Sequence, residues 1–356
     1  MTGGASRGQA PSAYAVTVKR FPELMPGEFA QWRDLMAAHA VNQRAFYSPT
    51  YCEAVDKVRP GVRVALLHDQ AQRLNGVLAL QAHRSFPGRL GVCEPIGDVM
   101  TDYFGLVARP GLHVEMADLL ARMKVGGLSF THLDESQSAY GLRGDGPRVG
   151  LRTVIEGRGA AHWEHLRAKD KKLVSDTERR ERKLVAEHGA LEFEFQARDA
   201  ERDFEQLLAL KKAQYDRTGK EDAPLFAPAN EQLLRGLLAS RDPDCEGVLS
   251  TLRAGGKLVA VHFGLRCRNV LHFWFPAYEK AFSAYSPGRI LYRHVIDAGS
   301  QAGISVLDRG EGDTAAKRDF ANEEHVFFKG AWFSPGWRGL LARGALSAYW
   351  RTQSGA

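Results

Sequence analysis

The chain has 356 residues, 44% of them apolar and 25% charged, a globular composition spread over more length than one small hydrophobic core needs. Forty-eight Lys and Arg against 42 Asp and Glu leave a formal charge of +6, which suits phosphate-bearing ligands or an anionic surface but is too small to indicate nucleic acid. Cys52, Cys93, Cys245 and Cys267 are scattered without a CxxC pair, which argues against a zinc site or a disulfide framework.

The opening "MTGGASRGQAPSAYAV" lacks the apolar core of a secretory signal and reads as unstructured, and no run of about 18 apolar residues occurs. A cytoplasmic protein with reduced thiols is expected. "AYAVTVKRF" reads as a strand and "EFAQWRDLMAAHA" as a helix with Phe29, Trp32, Leu35 and Met36 on one stripe. "VRVALLHD" and "LNGVLALQAH" form an antiparallel hairpin pattern. After a stretch punctuated by Gly and Pro come a helix around "HVEMADLLARM" and a strand around "LSFTHLDE". From Glu164 to Glu187 eight Lys or Arg and six Asp or Glu surround few aliphatic residues. That pattern suits helices with one narrow buried edge and a solvated face, or a basic groove.

The second half repeats this outline. "ALEFEFQ" is a strand. "DAERDFEQLLALKKAQYDRTG" is a helix with Asp199 as N-cap and Gly219 as stop. Three strands follow in "CEGVLSTLRAGGKLVAVHFGLRCRNVLHFWFPAY", joined by "AGG" and "CRN" turns. Then come the helix "YSPGRILYRHVIDAG", the strand "ISVLDRG", the short helix "TAAKRDFAN", the strand "HVFFKGAWF" and a basic tail. Two similar α/β units joined by charged helices are the inferred organisation: residues 1–155, a linking segment 156–190, residues 191–334 and a tail 335–356.

The start of "YSPGRILY" is a candidate ligand cradle. Ser286 can cap the helix, Pro287 suits its first position, Gly288 lets backbone approach a ligand, and Arg289 adds charge. Helix N-termini attract phosphate, although simple capping accounts for the same residues. GxxxxGK[ST], GxGxxG after a strand and GxSxG are all absent.

The elements "AVHFGLR", "HFWFPAY", "YSPGRILY" and "LDRGEGDTAAKRDF", with "FYSPTY" and "TDYFGL" upstream, resemble the cellulose-biosynthesis-type (CelD-like) acetyltransferases of the GNAT superfamily. The chain is also similar to the Fem-type aminoacyltransferases, which carry two GNAT-like units joined by charged helices. The resemblance implies an α/β (α+β) fold of two tandem GNAT-like domains, each a mixed central sheet flanked by helices. It implies acetyl-CoA or another acyl-CoA as co-substrate, its diphosphate near Tyr285, Ser286, Pro287, Gly288 and Arg289. The expected activity is N- or O-acetyl transfer to an amino sugar or precursor of an exopolysaccharide or cell-envelope polysaccharide. An aminoacyl-tRNA-dependent Fem-like transferase and a non-catalytic protein that recruits a polysaccharide synthase are the alternatives.

Acyl transfer of this kind needs a base, a polarised carbonyl and a route for the departing thiolate, and no metal. His262 is the base candidate, since alternation sets it and Gly264 opposite Val259, Val261 and Phe263; a core histidine is the competing reading. Asp308 either orients His262 or holds the acceptor amine, and Asp313 caps the short helix. His272 and Trp274 share a face that lines an acceptor pocket, unless Trp274 is core. Asp102 and Tyr103 are acceptor contacts or an ordinary turn. Lys317 neutralises a phosphate or is solvated. Where the family commonly has tyrosine before that lysine this chain has Ala316, so Tyr285, Tyr292 or solvent would serve the thiolate. The tail combines Trp337, Leu340, Leu341, Leu346 and Trp350 with Arg338, Arg343 and Arg351, a pattern for packing or for peripheral contact with an inner membrane or a synthase complex.

Overall fold

The computed structural model describes residues 14–157, 159–219 and 224–354; the unstructured start read from the sequence lies outside them. The first half runs β1 (Ala15–Arg20), α1 (Pro26–Ala38), α2 (Pro49–Val58), β2 (Arg63–His68), β3 (Leu74–Ala82), β4 (Val92–Pro95), β5 (Val107–Ala108), α3 (Met116–Arg122), β6 (Gly127–Asp134) and β7 (Asp145–Val154). Two charged helices follow, α4 (Ala160–Lys169) and α5 (Lys171–His188). The second half runs β8 (Leu191–Glu194), α6 (Ala200–Thr218), α7 (Pro228–Leu238), β9 (Arg241–Asp242), β10 (Cys245–Ala254), β11 (Lys257–Cys267), β12 (Val270–Tyr278), α8 (Pro287–Gln301), β13 (Val306–Glu311), α9 (Ala315–Arg318), β14 (Glu323–Phe333) and α10 (Trp337–Ser354).

The local signals work where expected. Ser48 accepts the Tyr51 N–H before Pro49 opens α2, and Asp199 accepts the Arg202 N–H at the start of α6. Gly219, at φ +68°, stops α6 in the left-handed region. Helix α8 buries Ile290, Leu291, Val295 and Ile296, a stripe that lies on the sheet.

The described strands form one mixed sheet in the order β1-β2-β3-β4-β6-β14-β7-β13-β12-β11-β10-β8, with β5 and β9 attached to β3 and β10. Read from its two ends the order is the same. Each half contributes an antiparallel run that ends in a parallel pair, β4 with β6 or β12 with β13. The halves also exchange strands. β14, from the end of the chain, lies between β6 and β7, while β7, which precedes the linking helices, pairs with β13. Neither half completes its sheet from its own continuous segment.

Both parallel pairs are short. β4 meets β6 only over Val92–Cys93, and β12 meets β13 only over Val270–His272. Beyond these residues the strands diverge, opening a gap at the carboxyl ends of the strands where α/β sheets take ligands. The halves share a core: Phe46, Tyr51 and Tyr103 belong to the same buried cluster as Leu249, Phe263 and Leu265. Phe204 meets Phe263 edge-on at 5.6 Å, and burying such a ring contributes about 1.5–3 kcal/mol.

Candidate functional site

Where β12 turns away from β13, a chain of ionisable side chains runs from the sheet edge into the shared core. His272 is the last residue of β12 paired with β13, and its partner in register is Asp308. The loop after β4 brings Asp102 and Tyr103 across to meet them. His272 Nε2 lies 2.8 Å from Asp102 Oδ2, and Nδ1 lies 3.7 Å from Asp308 Oδ1, a charge contact rather than a hydrogen bond. Burial opposes the charged imidazole, but the hydrogen bond to Asp102 and the nearby Asp308 outweigh it and raise the His272 pKa to about 9. At neutral pH the ring is therefore an imidazolium between two carboxylates, and the three groups carry a net charge of about −1.

Asp102 is the accessible end of this chain, its side chain 27% exposed against 1% for Asp308. Burial alone would raise the Asp102 pKa, and the His272 hydrogen bond holds it below the ordinary value. Behind His272, Asp308 accepts from the Gly310 N–H at 2.8 Å, Tyr103 OH at 2.5 Å and Arg152 Nε at 3.1 Å. Tyr103 OH also lies 2.9 Å from His325 Nε2, and Arg152 donates to Asp134 at 3.0 Å. Burial opposes ionisation of Asp308, yet His272 and Arg152 hold its carboxyl well below the usual range. Gly310 has φ +62°, and a Cβ there would stand 3.1 Å from His272 Cε1 and 3.4 Å from Asp102 Oδ2. A side chain at Gly310 would crowd the exposed carboxylate.

Aromatic rings frame the same spot. Phe46 presents its edge to His272 at 5.0 Å and to Trp274 at 5.3 Å. The structure thus brings Asp102, Tyr103, His272, Trp274 and Asp308 together. Arg152, His325, Asp134 and Phe46 complete the cluster and were not singled out by sequence; Phe46 stood within the "FYSPTY" segment.

His262 lies elsewhere. It is fully buried, its ring stacks on Phe273 at 3.8 Å, and neither ring nitrogen has a hydrogen-bond partner. Burial, reinforced by the charge of His272, holds its pKa well below the ordinary value. Helices cover both faces of β11, α6 on one and α8 on the other, so the face opposite Val261 and Phe263 is core as well. Asp308 orients His272, not His262. Asp313 pairs with Arg318, while the cap of α9 is Thr314, which accepts the Lys317 N–H.

Lys317 enters the gap itself. Its ammonium donates to the carbonyls of Arg309 at 2.7 Å and Glu311 at 2.5 Å, satisfying β13 carbonyls in the segment that has parted from β12. Both tyrosines considered for the thiolate are engaged, Tyr285 OH with Glu187 and His188, and Tyr292 OH with Thr153. At the start of α8, Ser286 is left-handed and makes no side-chain cap, and a Cβ on Gly288 would meet nothing within 4 Å. Arg289 is held beside it, Nε 2.7 Å from Asp319 and NH1 3.5 Å from Asp176. An uncapped 15-residue helix with open space at Gly288 and a positioned guanidinium fits a diphosphate.

Residues 171–318, from α5 through α9, match the acetyltransferase (GNAT) domain family. A search of curated proteins returns no match. Among solved structures, FemX is similar with a TM-score of 0.56 at 11% identity, covering 84% of this chain and 95% of that one. A conserved protein of unknown function from Bacteroides thetaiotaomicron gives 0.52 at 10% identity, covering 88% and 99%. The C-terminal domain of a protein described as a lysylphosphatidylglycerol synthetase, from Agrobacterium fabrum, gives 0.51 at 13% identity, covering 90% and 95%. At these identities the likeness is one of fold: a large mixed sheet flanked by helices, in which the two halves follow the same strand order. Residues 171–318 are thus similar to the GNAT acetyltransferase domain, while the rest of the chain is matched in fold only.

Proposed function

We propose that this protein is an acyl-CoA-dependent N- or O-acyltransferase, with acetyl the expected acyl group and an amino sugar or polysaccharide precursor the acceptor. The supporting observation is the partly exposed Asp102 carboxylate, backed by His272 and Asp308 at the opening between β12 and β13. In this reading residues 191–334 carry the donor site, residues 1–155 lend Asp102 and Tyr103 to the acceptor, and residues 156–190 link them. When bound, acyl-CoA supplies a thioester whose carbonyl carbon the acceptor attacks and whose thiolate departs.

Ser286, Gly288 and Arg289 hold the diphosphate of the donor. The net negative charge of Asp102, His272 and Asp308 draws in the acceptor ammonium or hydroxyl group, and an ammonium first gives one proton to solvent so that the neutral amine attacks. Asp102 accepts the proton the attacking atom gives up, a proton that becomes far more acidic once the new bond to carbon forms, so a carboxylate suffices. His272, charged at neutral pH, fixes the Asp102 carboxylate by its hydrogen bond and is a positioning residue. Trp274 and Phe46 shape the acceptor side.

Acyl transfer from acetyl-CoA to a panel of amino sugars, followed by mass spectrometry, tests the reading, with calorimetric titration of acetyl-CoA alongside. Micromolar binding and a product lost in Asp102→Asn support it. Binding of aminoacyl-tRNA without affinity for acetyl-CoA, or binding of neither, refutes it. No described helix is long and apolar enough to cross a membrane. The outer face of α10 exposes Trp337 and Leu340, 70% and 72% accessible, near Arg338, and in this proposal contacts an anionic bilayer peripherally. Retention on anionic but not zwitterionic vesicles tests that contact.

A further inference from the structure

The parallel pair of the first half opens as its counterpart does, and there the opening is a cleft of about 590 Å³, a volume in the roughly 300–1,000 Å³ range of small-molecule sites. Glu94, on β4 just past the last residue paired with β6, stands in its wall and is only 6% exposed. Its Oε1 accepts long hydrogen bonds, 3.3 Å from Gln81 and 3.2 Å from the Arg84 N–H, and Oε2 lies 3.7 Å from His83 Nε2. The nearby guanidinium of Arg84 is drawn away to Asp98 at 2.7 Å. Among the described residues no lysine or arginine forms an ion pair with Glu94. Burial, helped by Asp98, raises its carboxyl to about 7, and burial lowers the pKa of His83, which cannot then supply the missing charge.

The rest of the cleft narrows the ligand class. Asp98 and Asp145 add carboxylates against Lys329. Ser129 and Thr131 of β6 offer hydroxyls, and α10 contributes the Trp350 indole. A diphosphate is disfavoured. The helix that follows this parallel pair's first strand is α3, seven residues long with Glu115 at its N-cap and no side-chain cap bond, and the carboxylates repel anions. From the cleft, its buried unpaired carboxyl, its hydroxyls and its indole, we infer that the first half holds a second binding site, for a small hydroxylated amine of the amino-sugar class. Glu94 is the counter-ion of its ammonium group. This site does not rest on the acyl-transfer reading.

An arriving cation favours the ionised carboxyl, so binding at Glu94 expels a proton at pH 6 and ceases to do so by pH 8.5. Asp98, Asp145, the His83 ring and Lys329 line the same space, with Arg84 paired to Asp98 beside it, and burial lowers the His83 pKa. The test is calorimetric titration of the full chain with glucosamine at both pH values, in two buffers of different ionisation enthalpy. Saturable binding with release of about half to one proton at pH 6 is expected, with N-acetylglucosamine and glucose at least tenfold weaker. Glu94→Gln abolishes the proton release and weakens binding at least tenfold. Thr131→Arg, at an exposed position that fills the cleft, does the same without touching the buried carboxyl. Asp102→Asn retains the proton release. Equal affinity for glucosamine and N-acetylglucosamine, absence of saturable binding, or proton release that survives both cleft variants overturns the inference. Proton release lost in Asp102→Asn but kept in Glu94→Gln also overturns it, while leaving the acyltransferase proposal standing.

Discussion

Where β4 leaves β6 the gap is an acidic cleft walled by Glu94 and Trp350; where β12 leaves β13 Lys317 is fastened to the carbonyls of the parted strand and Asp102, backed by the buried His272 and Asp308, occupies the rim. The backbone event is the same in both. What differs is the flanking chain. After β12 comes a 15-residue helix with an uncapped start, and after β4 comes a loop that sends Asp102 and Tyr103 across to the other half. One opening is thus suited to an anionic donor at a helix start. The other presents carboxylates and an indole to a cation. The cleft at Glu94 does not coincide with the charge cluster of Asp102, His272 and Asp308, and this division accounts for the separation.

The sharpest way to break the comparison is to remove the exposed carboxylate of the second opening. Asp102→Asn should lower acyl transfer by about 10²–10⁴-fold, the usual worth of a positioned acid or base, and also lower the unfolding temperature, because it removes the main partner of the buried His272 imidazolium. Full activity in that variant would move the chemistry away from β12 and β13. Next in size is the wall the two halves share. Phe46 is 3% exposed and packs edge-on to His272 and Trp274. Phe46→Ala should destabilise the protein by about 3–5 kcal/mol in urea unfolding. A loss under 1 kcal/mol would mean that this contact does not couple the halves.

A pH series sharpens the picture further. The His272 pKa is raised to about 9 from 6.5, so its contribution to stability is complete below pH 6.5 and is lost as pH rises to about 9. His325 is the opposite case: burial lowers its pKa to about 4, so its contribution is complete above pH 6.5 and is lost as pH falls toward 4. Each of these two contributions is worth on the order of 3 kcal/mol, and Glu94, raised to about 7, opposes the acid limb because its own contribution is lost as pH rises from 4.5 to 7. His272→Asn should flatten the alkaline limb and His325→Asn the acid one. Acyl transfer should fall above pH 9 with the alkaline limb.

Much of this was legible in the residue order, and the gaps have physical causes. Asp102 and Asp308 stood out because they sit at a turn and a strand end, and His272 because it shares a strand face with Trp274. Arg152 and His325 did not, because each sits within a strand whose neighbours depend on the exchange of β7 and β14, which no local pattern encodes. β7 itself was missed: Gly146, Pro147 and Gly150 interrupt the alternation that marks a strand. For His262 the alternation was right and the environment wrong. A strand covered on both faces has no solvent side, so a polar residue opposite the apolar face does not mark a site. The tail packs through Ala342 and Leu346 while α10 supplies Trp350 to the first cleft.

The smallest effect expected here concerns the helix start that distinguishes the second opening. Arg289 is held by Asp319 through Nε at 2.7 Å and NH2 at 3.2 Å, with Asp176 at 3.5 Å from NH1. Part of its charge is therefore already compensated, and its added attraction for a diphosphate is modest. Arg289→Gln should raise the KM for acyl-CoA about tenfold, equivalent to about 1.4 kcal/mol, and leave kcat within a factor of two, since the guanidinium contacts donor in ground and transition state alike. Asp319→Asn, which releases Arg289 from its strongest restraint, should lower that KM severalfold. If neither substitution changes the KM, the donor phosphates are held elsewhere and the assignment of this helix start to the donor falls.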